Sequence, residues 1–198
     1  MPQRRGLTRA EILAAALDLA DDEGLPAVSM RSVAQRLGVT PMALYRHVGD
    51  KEALLDGLVE LLLADADAGS PDAGSPEDQD GPGWLAVLRG RAAALRATAR
   101  RHPEAFALVL ARRAGTPAAL QARDQVLEAL HAAGVPADDV PRLERLLSTF
   151  VIGFAASEAN GRFSDRARAD ADFAYAETLL RQVVTAGAQS RRVGGGAP

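Results

Sequence analysis

Apolar residues recur at intervals of three and four along the first part of the chain. Between residues 8 and 24 they fall at Ile12, Leu13, Ala16, Leu17 and Ala20. This spacing predicts an amphipathic helix with one buried stripe. Thr8 and Glu11 match the capping box that begins a helix, and Gly24 is typical of a residue that ends one.

Two shorter helical patterns follow the first one. Ser29 precedes the segment MRSVAQRL as a candidate N-cap, and Gly38 ends it. Thr40 and Pro41 begin the next segment, because proline suits the first helical position, where no backbone donor is needed. Two short helices joined by a tight turn and braced by a longer helix predict a helix-turn-helix unit.

The third helix is predicted to end at Gly49, and Asp50 is predicted to begin a fourth one that runs to about residue 66. Leu44 and Val48, four residues apart, would hold the third helix against the core. Other side chains of that helix are then left on or near its outer faces. They are Met42, Ala43, Tyr45, Arg46 and His47.

The rest of the chain also shows helical spacing, which predicts a second helical domain. The predicted helices cover residues 84–101, 104–113, 118–133, 138–160 and 172–188. Residues 67–83 contain the tandem acidic repeat DAGSP and almost no apolar residue, so we expect a mobile loop there. The glycine-rich residues 191–198 are predicted to form a disordered tail.

Composition agrees with an all-α fold. Hydrophobic residues make up 47% of the 198 positions, enough for a core, while aromatic residues make up only 4% and β-branched runs are absent. The predicted organisation is a DNA-binding domain at 1–50, a connecting helix at 51–66, the loop at 67–83 and a second domain at 84–190. Since neither a signal-like segment nor a long apolar run is found, we expect a cytoplasmic protein without membrane contact.

Charge is distributed unevenly, although the net charge is only -3. Residues 1–51 carry seven Arg or Lys against six acids, residues 52–80 carry none against nine, and residues 81–198 carry sixteen against eleven. Five of the six acids of the first segment lie between Glu11 and Glu23. A basic face is therefore available for nucleic acid on a nearly neutral domain.

Residues 8–63 carry a specific resemblance to a known family. The pattern Ser-x-Arg-x-Val-Ala-x-x-Leu-Gly-Val, followed by Leu-Tyr-x-His-Val and Asp-Lys-x-x-Leu-Leu, resembles the DNA-binding region of the TetR family. The resemblance implies an all-helical homodimer that binds a palindromic operator. It also implies a second domain that binds a small-molecule effector and releases the DNA, and hence a repressor.

The resemblance assigns roles to individual residues of the helix-turn-helix. Ser29, Thr40, Tyr45, His47 and Lys51 match positions that contact the DNA backbone, and Pro41 begins the reading helix. Arg31, Met42, Ala43 and Arg46 match base-facing positions. These chemistries suit the roles, since hydroxyls and lysine bind phosphate and arginine bonds guanine in bidentate fashion. Salt bridges to nearby acids remain an alternative for Arg31 and Arg46.

A cavity for the effector is expected in the second domain. Its candidate lining residues are Leu62, Leu88, Phe106, Val109, Leu110, Phe150 and Phe154. Each could instead be plain core, and the segment STFVIGFAAS could form a dimer seam in which Gly153 permits close helix approach. A second domain that binds a protein partner is the alternative; a deep apolar cavity would favour the effector.

No cofactor or metal ion is expected. The chain has no cysteine and three scattered histidines, with no nucleophile motif or phosphate loop, so we do not expect an enzyme. The absence of histidine between Pro103 and Leu130 argues against the magnesium–tetracycline complex that some family members bind. A different effector is predicted.

Overall fold

The computed structural model describes residues 6–68, 83–112, 115–163 and 165–194. These residues form nine α-helices and no strand, which confirms the all-α fold. The helices are α1 (Arg9–Glu23), α2 (Met30–Arg36), α3 (Pro41–Val48), α4 (Lys51–Ala68), α5 (Gly83–Arg101), α6 (Pro103–Ala111), α7 (Pro117–Ala132), α8 (Val140–Ala159) and α9 (Arg166–Gly194). A single 3-10 turn, Leu25–Ala27, separates α1 from α2.

The caps that the sequence predicts are present at the first helices. Thr8 Oγ1 accepts a hydrogen bond from the backbone N–H of Glu11 (3.2 Å), and the Glu11 carboxylate accepts one from the backbone N–H of Thr8 (2.9 Å). Ser29 caps α2 in the same reciprocal manner with Ser32. Asp50 accepts a bond from the backbone N–H of Ala53 (2.9 Å) and so caps α4.

The helix-turn-helix unit packs around one apolar core. Ile12, Val33, Leu44 and Leu58, contributed by α1, α2, α3 and α4, are all fully buried in it. The same core continues into α6 and α8 through residues such as Phe106 and Ala155. The two predicted domains therefore share a continuous apolar contact instead of meeting only through a linker.

The second domain is built around α5, which packs against α4, α7 and α8. A separate cluster, formed by Leu130, Val135, Val140, Leu147 and Val184, holds α7, α8 and α9 together. A cavity lies between this cluster and the larger core.

Several helix boundaries differ from the sequence prediction. Helix α9 begins at Arg166 and not at Asp172, because buried Ala169 and Phe173 extend its apolar stripe upstream. It also ends at Gly194, so the prediction of a disordered tail is wrong for residues 191–194, where the helix continues up to the glycine run. Helix α4 reaches Ala68, so the expected loop retains residues 69–82, which lie outside the described residues, as do 195–198.

Candidate DNA-binding surface and internal cavity

Helix α3 has one buried face and one exposed face. Leu44 and Val48 are 0% and 6% exposed, whereas Met42 is 71% exposed and Tyr45 47%. Pro41, Arg46 and His47 are also exposed, and Ala43 is half-buried. The helix therefore presents most of the residues predicted to contact DNA on one outer surface.

A tight turn sets α3 against α2. Gly38 adopts a positive φ of 66°, a conformation that glycine takes without strain, and the next backbone N–H, of Val39, donates to the Ala34 carbonyl (3.0 Å). Thr40 occupies the N-cap position of α3, but its side chain makes no capping hydrogen bond. Its hydroxyl is thus available at the helix N-terminus, where phosphate oxygens bind well.

The cations of this surface are not neutralised by neighbouring acids. Arg31, Arg46 and Lys51 are exposed and make no ion pair with the part of the chain that the structure describes. Arg36 differs, since Asp22 and Glu23 both pair with its guanidinium. The acids of α1 thus engage an arginine that was not predicted to contact DNA.

Ser29 caps the N-terminus of α2, in addition to its predicted contact with phosphate. Its Oγ accepts the backbone N–H of Ser32 (3.1 Å) and lies 2.7 Å from the Ser32 Oγ, which also lies within bonding distance of the Ala27 carbonyl (2.7 Å). The half-buried Ser29 side chain is therefore held in the cap of α2. A phosphate would have to use its remaining hydrogen-bonding capacity.

A cavity of about 250 Å³, partly open to solvent, lies among α5, α7, α8 and α9 and reaches the ends of α4 and α6. Most of its wall is apolar. Representative lining residues from five helices are Leu63, Leu88, Leu95, Val109, Val126 and Phe150. A largely apolar cavity with a few polar groups is the usual form of a small-molecule site.

Three of the seven residues predicted to line a cavity do so, namely Leu88, Val109 and Phe150. Leu62 and Phe106 are instead almost completely buried in the shared core, at 1% and 0% exposure. Leu110 is 58% exposed on the outer side of α6.

Phe154 belongs to an aromatic cluster. Its ring centroid lies 4.9 Å from that of Phe163 and 5.0 Å from that of Phe173, and Phe173 also stacks on Phe150 at 5.9 Å. The Arg96 guanidinium lies 4.2 Å from the Phe173 ring centroid. This cluster backs the cavity wall, because Phe150 and Phe173 line the cavity while Phe154 does not.

Sequence reasoning missed the polar groups of the cavity wall. Glu144, Ser148 and Glu177 line it, together with Arg89, Arg91, Arg123 and Arg181. The sequence could have predicted that Glu144 faces inwards, because it lies four residues after Val140 and three before Leu147. Both of these residues are buried on the inward face of α8. A charged residue on an apolar stripe indicates either a buried ion pair or a site.

Helix α4 connects the cavity to the helix-turn-helix. Leu63 and Ala66 line the cavity, and the carboxylate of Asp67, one residue further on, pairs with Arg91 Nη1 at 2.8 Å. At the opposite end, Arg112, which follows α6, pairs with Glu52 (2.9 Å) and also with Asp56. The helix that forms part of the cavity wall is therefore also the helix that packs against α3.

Within the described ranges, no group of three or more His, Asp or Glu side chains could hold a metal ion. The helices of this part of the chain are also too short or too polar to cross a membrane. The polar groups that line the cavity are carboxylate, hydroxyl and guanidinium groups.

The helix-turn-helix is joined by one helix, α4, to a helical domain that contains a largely apolar cavity. Residues 12–58 match the family described as "Bacterial regulatory proteins, tetR family", and residues 75–188 match the "Tetracyclin repressor-like, C-terminal domain". The chain belongs to the TetR family.

Individual relatives agree with this assignment. The HTH-type transcriptional repressor DrrR1 of Streptomyces coeruleorubidus is 30% identical over 184 residues, which cover 91% of this chain and 66% of the relative. The chain spans just under two thirds of the length of the first curated relatives that it matches.

Two solved structures are informative. One is of BioQ with its natural double-stranded DNA operator (TM-score 0.72, 28% identity, 91% of this chain and 99% of that one). The other is of a single-residue variant of TetR from Acinetobacter baumannii AYE in complex with minocycline (TM-score 0.71, 25% identity, 88% and 94%).

Proposed function

We propose that the protein is a homodimeric transcriptional repressor in the cytoplasm that leaves a palindromic operator when a small molecule occupies its internal cavity. The observation that carries this proposal is the physical link between the two sites through α4. Relatives with DNA or ligand bound support it by analogy.

The exposed face of α3 supports DNA binding. Lys51, Thr40, Tyr45 and His47 are exposed and offer a cation, a hydroxyl, a phenol and an imidazole, which suit phosphate oxygens. Arg46 projects from the same helix and can bond a guanine edge in the major groove. Because no acid neutralises Arg46 or Lys51 within the described residues, both charges are available to the nucleic acid.

The surface formed by α8 and α9 supports dimerisation. Leu146, Tyr175, Leu179 and Val183 are 43–67% exposed there, although all are large and apolar. A methyl group added to Gly153 would meet no other atom within 4 Å in the single chain. Exposed apolar side chains and a small residue on α8 suit the close packing of two copies about a two-fold axis.

A dimer would place two α3 helices in successive major grooves, about 34–36 Å apart. An effector that changes this separation would weaken operator binding. A hundredfold loss of affinity requires about 2.7 kcal/mol of coupling, which the effector must supply by binding the non-DNA state more tightly. The contacts of Leu63, Ala66 and Asp67 with the cavity wall make α4 the element on which such a ligand would act.

The cavity favours an effector over a protein partner. It extends between helices, and its lining reaches the buried or half-buried side chains Phe150, Val109 and Leu63, from three different helices. A protein partner would need an exposed groove of comparable apolar character.

Fluorescence anisotropy of labelled DNA tests this function. The DNA that flanks the protein's own gene is titrated with the purified protein, and a random duplex of equal length serves as the control. We expect nanomolar binding to a palindrome in the flanking DNA and relief by one class of small molecule. Equal affinity for both duplexes would reject operator recognition, and binding that no compound relieves would reject effector control.

A further inference from the structure

We propose that the cavity takes an apolar ligand that carries a protonated amine, with Glu177 as the group that receives the ammonium. This inference deepens the proposed function, because it names the chemical class of the effector. Three features of the cavity support it: an apolar wall, an unpaired carboxylate within that wall, and arginines that are either already paired or exposed.

The apolar wall determines the body of the ligand. The cavity holds about 250 Å³, and the side chains of Leu88, Leu95, Val126 and Phe150 offer no hydrogen bond to a polar molecule. Burying a polar body against them would cost free energy without compensation. The ligand must therefore be apolar over most of its surface.

Glu177 supplies a carboxylate in the cavity wall that no hydrogen bond or close ion pair from the described residues satisfies. Its side chain is half-buried in the cavity wall, and it makes neither a hydrogen bond nor an ion pair with the described part of the chain. Burial raises the pKa of Glu177, and the attraction of Arg89 and Arg96 does not cancel this effect. A cationic donor placed beside Glu177 would relieve the cost of keeping that carboxylate out of water.

Glu144, the other carboxylate of the cavity, already has partners within the protein. It is buried, it accepts a hydrogen bond from Ser148 Oγ (3.1 Å), and its other oxygen lies 3.4 Å from Arg123 Nε. Its charge is already balanced by the protein. Of the two glutamates that line the cavity, Glu177 is thus the one left for a ligand.

The arginines do not offer an equivalent site for an anion inside the cavity. Arg91 is held by Asp67 at 2.8 Å and also by Gln125, and Arg123 faces Glu144. Arg89 and Arg181 make no ion pair with the described residues, but both are exposed to solvent. An anionic ligand would leave the Glu177 carboxylate unpaired and would be repelled by it.

The fluorescence of a tryptophan in the cavity wall can report ligand binding. Trp84 is the single tryptophan of the sequence, and it lines the cavity. Its fluorescence therefore responds to a molecule that enters the cavity, with no DNA present and no label attached. Binding chemistry can then be measured separately from operator release.

Three compounds with one apolar body separate the charge types. 1-Adamantanemethylamine, 1-adamantanemethanol and 1-adamantanecarboxylate are titrated at pH 7 while Trp84 emission is recorded, and calorimetry repeats each titration. We expect the amine to bind at least tenfold more tightly than the alcohol, and the carboxylate to bind most weakly. Equal affinities, no binding of the amine, or preference for the carboxylate would overturn the inference.

Variants assign the preference to one side chain. Glu177→Gln keeps the size of the residue and should remove most of the advantage of the amine while leaving the affinity for the alcohol unchanged. Glu128→Gln is the matched control, because Glu128 is exposed on α7, outside the cavity. If Glu177→Gln leaves the amine's advantage intact, or weakens amine and alcohol equally, Glu177 is not the receiving group.

A titration of the DNA-bound protein separates the cavity chemistry from the function on which it rests. The amine is added to the protein bound to its DNA, and anisotropy is recorded. Amine binding without DNA release would contradict effector control but retain the cavity chemistry. DNA release by neutral or anionic compounds, without amine preference, would retain effector control and overturn the chemistry.

Discussion

Lys51 lies at the start of α4, beside the reading helix, and makes no ion pair with the described residues. If it binds a phosphate, Lys51→Ala should weaken binding to specific and random DNA alike. The slope of log K against log salt should become shallower by about 0.9 for one phosphate that is no longer neutralised. Titrations at four salt concentrations measure this slope; an unchanged slope would refute the phosphate contact, and Lys51→Arg should restore it.

Arg46 should behave differently, although it carries the same charge on the same surface. As a base reader it should lose about 1 to 3 kcal/mol of discrimination at one base pair per half-site when replaced by alanine. Binding to a set of single-base operator variants measures this effect. Similar losses on operator and random DNA would show that Arg46 contacts only the backbone.

At the scale of the helices, Gly57 determines how closely α4 approaches α1. A methyl group at this position would lie 2.6 Å from Leu13 Cδ2 and 3.2 Å from Leu13 Cδ1, inside a packed core. Overpacking of this kind costs about 1 to 3 kcal/mol, which should exceed the helix-propensity gain of about 1 kcal/mol. Gly57→Ala should therefore lower the free energy of unfolding in urea.

Gly153 provides a control for the Gly57→Ala variant. A methyl group at Gly153 meets nothing within 4 Å in the single chain. Gly153→Ala should not destabilise the folded chain itself, yet it should weaken self-association if two copies of α8 pack closely there. A Gly57→Ala variant as stable as the parent would show that the overpacking costs no more than the gain in helix propensity.

An ionic cluster joins α5, α8 and α9 and predicts a pH dependence. Arg96 donates to both oxygens of Glu158 at 3.0 Å, and Arg100 Nε donates to one of them at 2.9 Å. Burial alone would raise the pKa of Glu158, but the two arginines outweigh it and hold the pKa below its ordinary value of 4.5. The stabilisation is therefore complete above pH 4.5 and is lost as the pH falls through the lowered pKa.

Glu158→Gln tests this cluster. We expect it to cost about 2 kcal/mol at neutral pH, because the two guanidinium groups lose a charged acceptor. The difference from the parent protein should narrow as the pH falls below 4.5, in urea unfolding at a series of pH values. A difference that stays constant down to about pH 3 would mean that the carboxylate charge contributes nothing.

The sequence predicted the helices of the first domain well because local signals agreed there. Capping residues, an apolar stripe and a proline or glycine at each boundary all pointed to the same elements, as at Thr8 and Pro41. The start of α9 was missed because Arg166 to Asp172 looks polar, and its burial depends on Ala169 and Phe173 meeting other helices. Such long-range packing is not visible in a local pattern.

The cavity was predictable only in part for the same reason. Leu88, Val109 and Phe150 could be chosen as large apolar residues, but this criterion could not separate them from the core residue Phe106. Whether an apolar side chain meets space or another side chain depends on tertiary packing. The unpaired state of Glu177 likewise depends on what α5 and α8 place beside it.

For the whole molecule, the apolar face of α8 and α9 predicts how assembly and DNA binding are linked. Val183→Glu places a charge on a side chain that is 45% exposed in the single chain. The fold should tolerate it, but the dimer should dissociate and operator affinity should fall, since one half-site provides only half of the contacts. Leu120→Glu, at a residue 49% exposed on α7, serves as control.

Analytical ultracentrifugation and anisotropy measure the two effects. We expect Val183→Glu to sediment as a monomer at micromolar concentration while Leu120→Glu remains a dimer. A monomeric parent protein, or a dimer that survives the charge at Val183, would place the interface elsewhere.

Lys51 is the only lysine in the sequence, which makes it chemically distinguishable from every other side chain. An amine-reactive reagent can modify just this side chain and the α-amino terminus, so the mass of a single peptide reports whether the position is covered. The same uniqueness means that acetylation of one residue would remove the only lysine charge from the surface. If Lys51 contacts the operator, chemical footprinting of this side chain would report operator occupancy, including in mixtures where several DNA-binding proteins compete.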